Sequence, residues 1–277
     1  MTTPVRGRCL IINNIHFAAP DGSVDSDGSE RAGSQIDQQN IDGLFKSLSF
    51  VNKIHEDLPA QEMLRAIHEE TEVEDHKDYG MFVLVVMTHG NETHLYGTDQ
   101  QAIPRSSVYD LLSPRCFPHM AGKPKLLIFE SSYGNSYDLP FENIPHFYRS
   151  PDPTPTVVLP STSSSQSTST NSTDFLARDD FFIMNPSFPG YISGRHVAHG
   201  SFFIRALVEA FYKHSCHRDV KRLFEEQIAK KARAKSIEVN NRYPRVSRQQ
   251  PTLMCLPTDG KKLYLFPGYT PPPPERQ

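Results

Sequence analysis

Four short apolar runs each lead to a residue that can do chemistry. Met81–Met87 ends in Thr88-His89-Gly90, and Lys125–Phe129 ends in Glu130-Ser131-Ser132-Tyr133-Gly134. The run near Ile12 enters a Gly/Ser/Asp-rich loop that carries Arg31, and Phe181–Met184 leads to Tyr191-Ile-Ser-Gly-Arg195. A histidine near a serine suggests acyl transfer, with the imidazole taking the hydroxyl proton during attack. That reaction needs a third group to orient the ring, and the sequence supplies no evident carboxylate for it. Two arginines, Arg31 and Arg195, and the carboxylate of Glu130 stand beyond the same strand ends. The bland alternatives are a leftover polar pair at His89 and Ser132, and an internal Arg31–Glu130–Arg195 cluster that only holds loops.

The elements that must position these residues follow from the apolar pattern. Cys9–Ile12, Met81–Met87, Lys125–Phe129 and Phe181–Met184 are continuous apolar runs, as expected of strands buried on both faces of a parallel sheet. Helical spacing recurs at Ile41, Leu44, Phe45 and Leu48, then at Met63, Leu64 and Ile67 after a start at Asp57-Leu-Pro-Ala, where Asp57 can cap. Two more helices carry Phe203, Leu207 and Phe211, and Val220, Leu223, Phe224 and Ile228. Lys262-Leu263-Tyr264-Leu265-Phe266 reads as the terminal strand. The expected fold is α/β. In such sheets ligands bind beyond the carboxyl ends of the strands, so His89, Ser132, Glu130, Arg31 and Arg195 should gather at one sheet edge.

Composition excludes several functions. Lys plus Arg number 29 against 32 for Asp plus Glu, a net charge of −3 with pI near 6.5, so no basic excess exists for nucleic acid. No run approaches a membrane span, and the opening residues lack the apolar core of a secretory signal. Cys9, Cys116, Cys216 and Cys255 are scattered, which suits a reducing compartment and a cytoplasmic location. Residues 140–174 are first Pro-rich and then Ser/Thr-rich, with eleven of the thirteen residues Ser161–Thr173 being Ser or Thr. They are expected to be a flexible linker between parts 1–139 and 175–277, the second ending in a Pro-rich tail. His214, Cys216 and His217 are read as surface residues, with no metal and no cofactor expected. The Asn91 and Asn171 sequons are not expected to be glycosylated inside a cell.

The same residues carry a family resemblance. Arg8-Cys-Leu-Ile-Ile-Asn-Asn, Arg31-Ala-Gly-Ser-Gln-Ile-Asp, Phe82–Gly90 with Tyr96-Gly-Thr-Asp99, Pro189–Arg195 and Gly200–Leu207 together resemble the caspases. The resemblance implies a caspase-like fold, with a six-stranded, mostly parallel sheet flanked by helices, large- and small-subunit-like parts, and dimerisation through the last strand. It also implies a Gln-Ala-Cys-Arg-Gly nucleophile segment, where this chain reads Glu130-Ser131-Ser132-Tyr133-Gly134. The family's aspartate pocket of two arginines and a glutamine maps to Arg31, Arg195 and Glu130. Glu130 is expected to pair with either arginine and block the fork. Gly194 stands in place of a cleft-lining tryptophan, and Tyr133 in place of an arginine. Asp138, Asp152 and Asp174 are possible processing sites.

The resemblance therefore implies a degenerate pseudo-caspase that regulates an active caspase by heterodimerisation through Lys262–Phe266, in apoptosis or immunity, with a homodimer as a further possibility. No death-fold recruitment domain is expected ahead of the first strand. Two alternatives stand beside this reading. One is a decoy binding caspase substrates or inhibitors through Arg31 and Arg195; the other is a weak hydrolase using Ser132 and His89.

Overall fold

The computed structural model describes residues 5–18, 30–133, 180–242, 249–256 and 262–266, with side chains on the long second-half helix described to residue 237. The elements in chain order are β1 (Gly7–Asn13), α1 (Ser34–Ser47), β2 (Phe50–Glu56), α2 (Ala60–Thr71), β3 (Met81–Met87), β4 (His94–Tyr96), β5 (Ala102–Pro104), α3 (Arg105–Leu111) and β6 (Lys125–Glu130). The second half adds β7 (Phe181–Asn185), β8 (Arg195–His196), β9 (Gly200–Ser201), α4 (Phe202–His214), α5 (Val220–Leu223), α6 (Ala229–Arg242) and β10 (Thr252–Cys255). A π-helical turn at Phe224–Ile228 joins α5 to α6.

Six strands form one sheet in the order β10-β7-β6-β3-β1-β2. Every pairing is parallel except β10 with β7. The expected six-stranded, mostly parallel sheet is present. The halves on either side of residues 134–179 share it, since β6 pairs directly with β7 and Lys125 N–H donates to Asp180 O at 2.9 Å.

The apolar run of β3 is continuous because both faces are covered. Val83 and Val85 join a core with Ile41, Leu44, Phe45, Phe203, Leu207 and Phe211 from α1 and α4. Phe82, Leu84 and Val86 join the opposite core with Met63, Ile67 and Val108 from α2 and α3. The edge strand β2 has only partial cover, with Val51 and Ile54 exposed, and its polar residues hide it from a search for apolar runs. Asp57 does not cap α2. It sits at φ 53° and accepts hydrogen bonds from the Ile15 and His16 amides at 2.7 and 3.0 Å, while Pro59 occupies the N-cap position.

The terminal strand is corrected. Lys262–Phe266 is not a strand, and the sheet edge is Thr252–Cys255 instead. Leu263 and Leu265 are buried in the core beside α1 and α4, Leu263 O accepts from Val220 N–H at 2.8 Å, and the Arg6 guanidinium lies 3.9 Å from the Phe266 ring centroid. Lys262 is exposed and Tyr264 half-buried, so the segment does alternate. Period-two alternation reports one-sided burial, and here it occurs in a segment that buries leucines in the core without joining the sheet ladder.

Leu265 should therefore matter more than the actual edge. Leu265→Ala is expected to lower stability by about 2–4 kcal/mol. Met254→Ala, on the exposed face of β10, should cost less than about 1 kcal/mol. Urea unfolding of the two variants checks the ranking.

Candidate functional site

The strand ends place the chemistry-bearing residues by register. Met87 of β3 lies opposite Glu130 of β6, so His89 and Ser132 each stand two residues beyond one paired position. Thr88 N–H donates to Glu130 O at 3.3 Å, holding the two strands together past their ends. His89 is exposed, with its ring centroid 4.5 Å from that of Phe17 and its carbonyl accepting from Tyr96 N–H at 2.9 Å.

Of the two serines, Ser131 is the buried one. Its hydroxyl accepts from Arg105 Nη2 at 2.7 Å, and the same guanidinium donates to Asn91 O at 2.9 Å and reaches Ser132 O at 3.5 Å. Ser132 is half-buried. No cysteine lies here: Cys9 is buried in β1, Cys116 follows α3, Cys216 follows α4, and Cys255 closes β10. Tyr133 pairs by its backbone with Tyr191 and Gly190 at 3.0 and 2.7 Å, and its ring lies 4.9 Å from the Arg105 guanidinium.

Arg31 and Glu130 meet differently from expectation. Buried Arg31 donates through Nη1 to Asn13 Oδ1, Asn14 O and Ser34 Oγ at 3.3, 3.0 and 2.8 Å, and through Nη2 to the main-chain carbonyl of Glu130 at 3.0 Å. The Glu130 carboxyl makes no ion pair with either arginine. Its Oε1 accepts from Ser193 Oγ at 2.9 Å, and its buried Oε2 has no hydrogen-bond partner. A sequence shows side chains, and the acceptor that Arg31 takes from residue 130 is a backbone carbonyl. Arg195 Nε donates to Ala32 O at 2.9 Å.

Asp37, which the sequence marks only as the last residue of the Arg31–Asp37 segment, completes the cluster. Both of its oxygens accept from Ser201 N–H, at 2.9 and 3.0 Å. Gly200 allows this approach: its φ is +77°, and a Cβ there would stand 2.3 Å from Asp37 Oδ1. Burial, then the nearby Asp37 charge, pushes the Glu130 carboxyl up to about 7 against the pull of Arg31 and Arg195. Burial likewise raises Asp37 to about 6, and burial with the Arg195 charge lowers Arg31 to about 9. Arg105 was missed too, because nothing near it in sequence marks its role.

Gly194 is a close-approach position. Its amide donates to Gln249 Oε1 at 3.1 Å, and a Cβ would stand 2.8 Å from the Phe202 ring, so that ring fills the space the glycine leaves. Asp138, Asp152 and Asp174 lie outside the described residues. Among the described residues no group of three or more His, Cys, Asp or Glu could hold a metal, and no helix is long and apolar enough to cross a membrane.

A family profile described as Caspase domain matches residues 6–261. This chain belongs to the caspase family. It is 29% identical to Cell death protein 3 of Caenorhabditis remanei over 240 residues, covering 81% of this chain and 44% of that protein. It is 29% identical to human Caspase-9 over 232 residues, covering 78% and 54%, and 28% identical to bovine Caspase-3 over 218 residues, covering 79% and 70%. The chain thus spans about half the length of the first two of these relatives.

For this caspase-family chain the buried carboxyls set a pH dependence. Glu130 and Asp37 are raised from ordinary values of 4.5 and 3.8, so the folded chain holds protons that the unfolded chain has released. Their contribution to stability is present at low pH and is lost as pH rises through about 6 and about 7. Glu130→Gln is expected to raise the melting temperature at pH 8 by roughly 4 °C and to flatten the decline from pH 5 to about 8. Parallel melting curves for the two proteins would overturn this account.

Proposed function

We propose that this chain is a non-catalytic caspase homologue, acting in cell death or immune signalling, that regulates an active caspase by pairing with it along the sheet edge. The observation that carries the reading is the segment after β6. From the last residue of β6 it reads Glu130-Ser131-Ser132-Tyr133, with no thiol, on a six-stranded caspase-family sheet. A thiol beside an imidazole can ionise near neutral pH, whereas a serine hydroxyl is a far weaker acid and must lose its proton during attack. The remnant pocket is compromised as well. Arg31 is engaged by four internal acceptors, and a buried carboxyl stands where the resemblance places a neutral amide.

The sheet offers two edges, and chemistry favours one of them. The β2 edge carries Lys53, His55 and Glu56, charged or titratable groups that discourage strand addition. The β10 edge carries Thr252, Leu253, Met254 and Cys255, with Met254 47% exposed. An uncharged edge strand is a template for a partner strand or a second copy. A partner whose active loops depend on dimerisation would have its active population shifted by such a contact, upward or downward.

The test is titration of this protein into an active caspase of the same organism, with cleavage of a fluorogenic aspartyl peptide as readout. The protein alone should be silent, and Ser132→Cys alone should leave it silent, because Glu130 and Gly194 also depart from the family. The partner's rate should change at near-equimolar ratio, and Met254→Arg should abolish that change. A protein that cleaves alone and loses that activity on Ser132→Ala would sink the reading.

A further inference from the structure

The Glu130 carboxyl is fully buried, and half of it is unused. Its Oε1 accepts from Ser193 Oγ at 2.9 Å, while Oε2 has no hydrogen-bond partner among the described residues. A buried acceptor left so bears the full cost of its lost hydration unless a ligand donates to it. Two residues on from Ser193, the Arg195 guanidinium uses only Nε, on Ala32 O at 2.9 Å; its terminal nitrogens make no hydrogen bond or ion pair among the described residues. The Arg195 charge acts on Glu130, so the unused acceptor and the unused donors share one locality. Residues 132–133, just past Glu130, and 191–195, around its partner Ser193, are half-buried and therefore meet solvent.

The charges of this locality select the kind of ligand. Arg31 and Arg195 stand against Asp37 and Glu130, and all four ionised groups together sum to zero. A carboxylate would face Glu130 and Asp37, and an ammonium group would face both arginines. Arg31 is already engaged by four internal acceptors, which leaves Arg195 as the donor. The ligand that fits is polar, uncharged, and able to donate and accept at once.

We infer that Glu130 Oε2 and the Arg195 guanidinium form a binding site for a primary carboxamide, the side chain of an asparagine or glutamine in a peptide segment of another protein. The carboxamide NH2 donates to Oε2, and its carbonyl accepts from Arg195. Both contacts have a charged partner, which makes them the stronger class of hydrogen bond. A hydroxyl offers the same two roles only from a single oxygen. The inference deepens the non-catalytic reading and rests on it, since a segment held here is bound and not cut.

The experiment uses the full chain at pH 8, above the value of about 7 to which burial raises Glu130. Fluorescein-labelled Ala-Ala-Asn-Ala-Ala and Ala-Ala-Gln-Ala-Ala are compared with their Asp and Glu twins by fluorescence polarisation, and Ala-Ala-Leu-Ala-Ala is the apolar control. The tighter of the two carboxamide peptides shows which side-chain length fits. It should bind at least about tenfold more tightly than its acidic twin and than the leucine peptide. Glu130→Gln replaces the acceptor by a donor, so it should weaken that peptide about tenfold and reverse the order in favour of the acidic twin. Equal binding of carboxamide and acidic peptides, no saturable binding of either, or an order unchanged by Glu130→Gln overturns the proposal. Mass spectrometry of the peptides after incubation keeps the two readings apart. Cleaved peptide counts against the non-catalytic reading, whereas a failed affinity order with every peptide intact removes only the carboxamide site.

Discussion

The guanidinium of Arg31 joins the ends of two strands that are not neighbours. It draws Asn13 and Asn14 at the end of β1, Ser34 at the start of α1, and the Glu130 carbonyl at the end of β6 onto one planar group. A buried cation without such acceptors would cost several kcal/mol, so the geometry of these turns is constrained by the need to surround it. The Asp37 and Glu130 carboxyls tie the same junction to the other half of the chain, through Ser201 and Ser193. Ser132 follows β6 at this junction, and Ser193, the partner of Glu130, precedes Gly194 and the start of β8 at Arg195. The junction's polar chemistry thus ties the two halves together.

Much of the fold was legible because two-sided burial leaves an unbroken apolar signature. β3 and β6 are fully buried along their whole length, and both stand out in the sequence. β2 and β10 are partly exposed edges with mixed residues, and neither gives a run. The Leu263-Tyr264-Leu265 stretch gives the opposite error, since its alternation is real but the stretch does not join the sheet. Pattern reports how much of a segment is covered and is silent on what covers it.

For the site, the strand-end rule leads one to expect His89, Ser132, Glu130, Arg31 and Arg195 at one sheet edge. The rule could not reveal which atoms bond. Arg31 takes a main-chain carbonyl where a carboxylate was expected, and Asp37 acts through a backbone amide that only Gly200 allows it to reach. Arg105 enters from the start of α3 and ties down the segment after β6, from a place with no sequence mark. Interactions that run through backbone atoms were the part that residue types could not announce.

The adjacency of β6 and β7 also bears on chain connectivity. These strands form a parallel ladder although the 134–179 stretch separates them in sequence. The entropy of closing such a loop grows only logarithmically with its length, so the separation can lengthen or shorten at little thermodynamic cost. Severing it would cost more at the moment of refolding than in the intact fold. The two fragments would have to find one another as separate molecules, and the stability of the sheet would then depend on protein concentration.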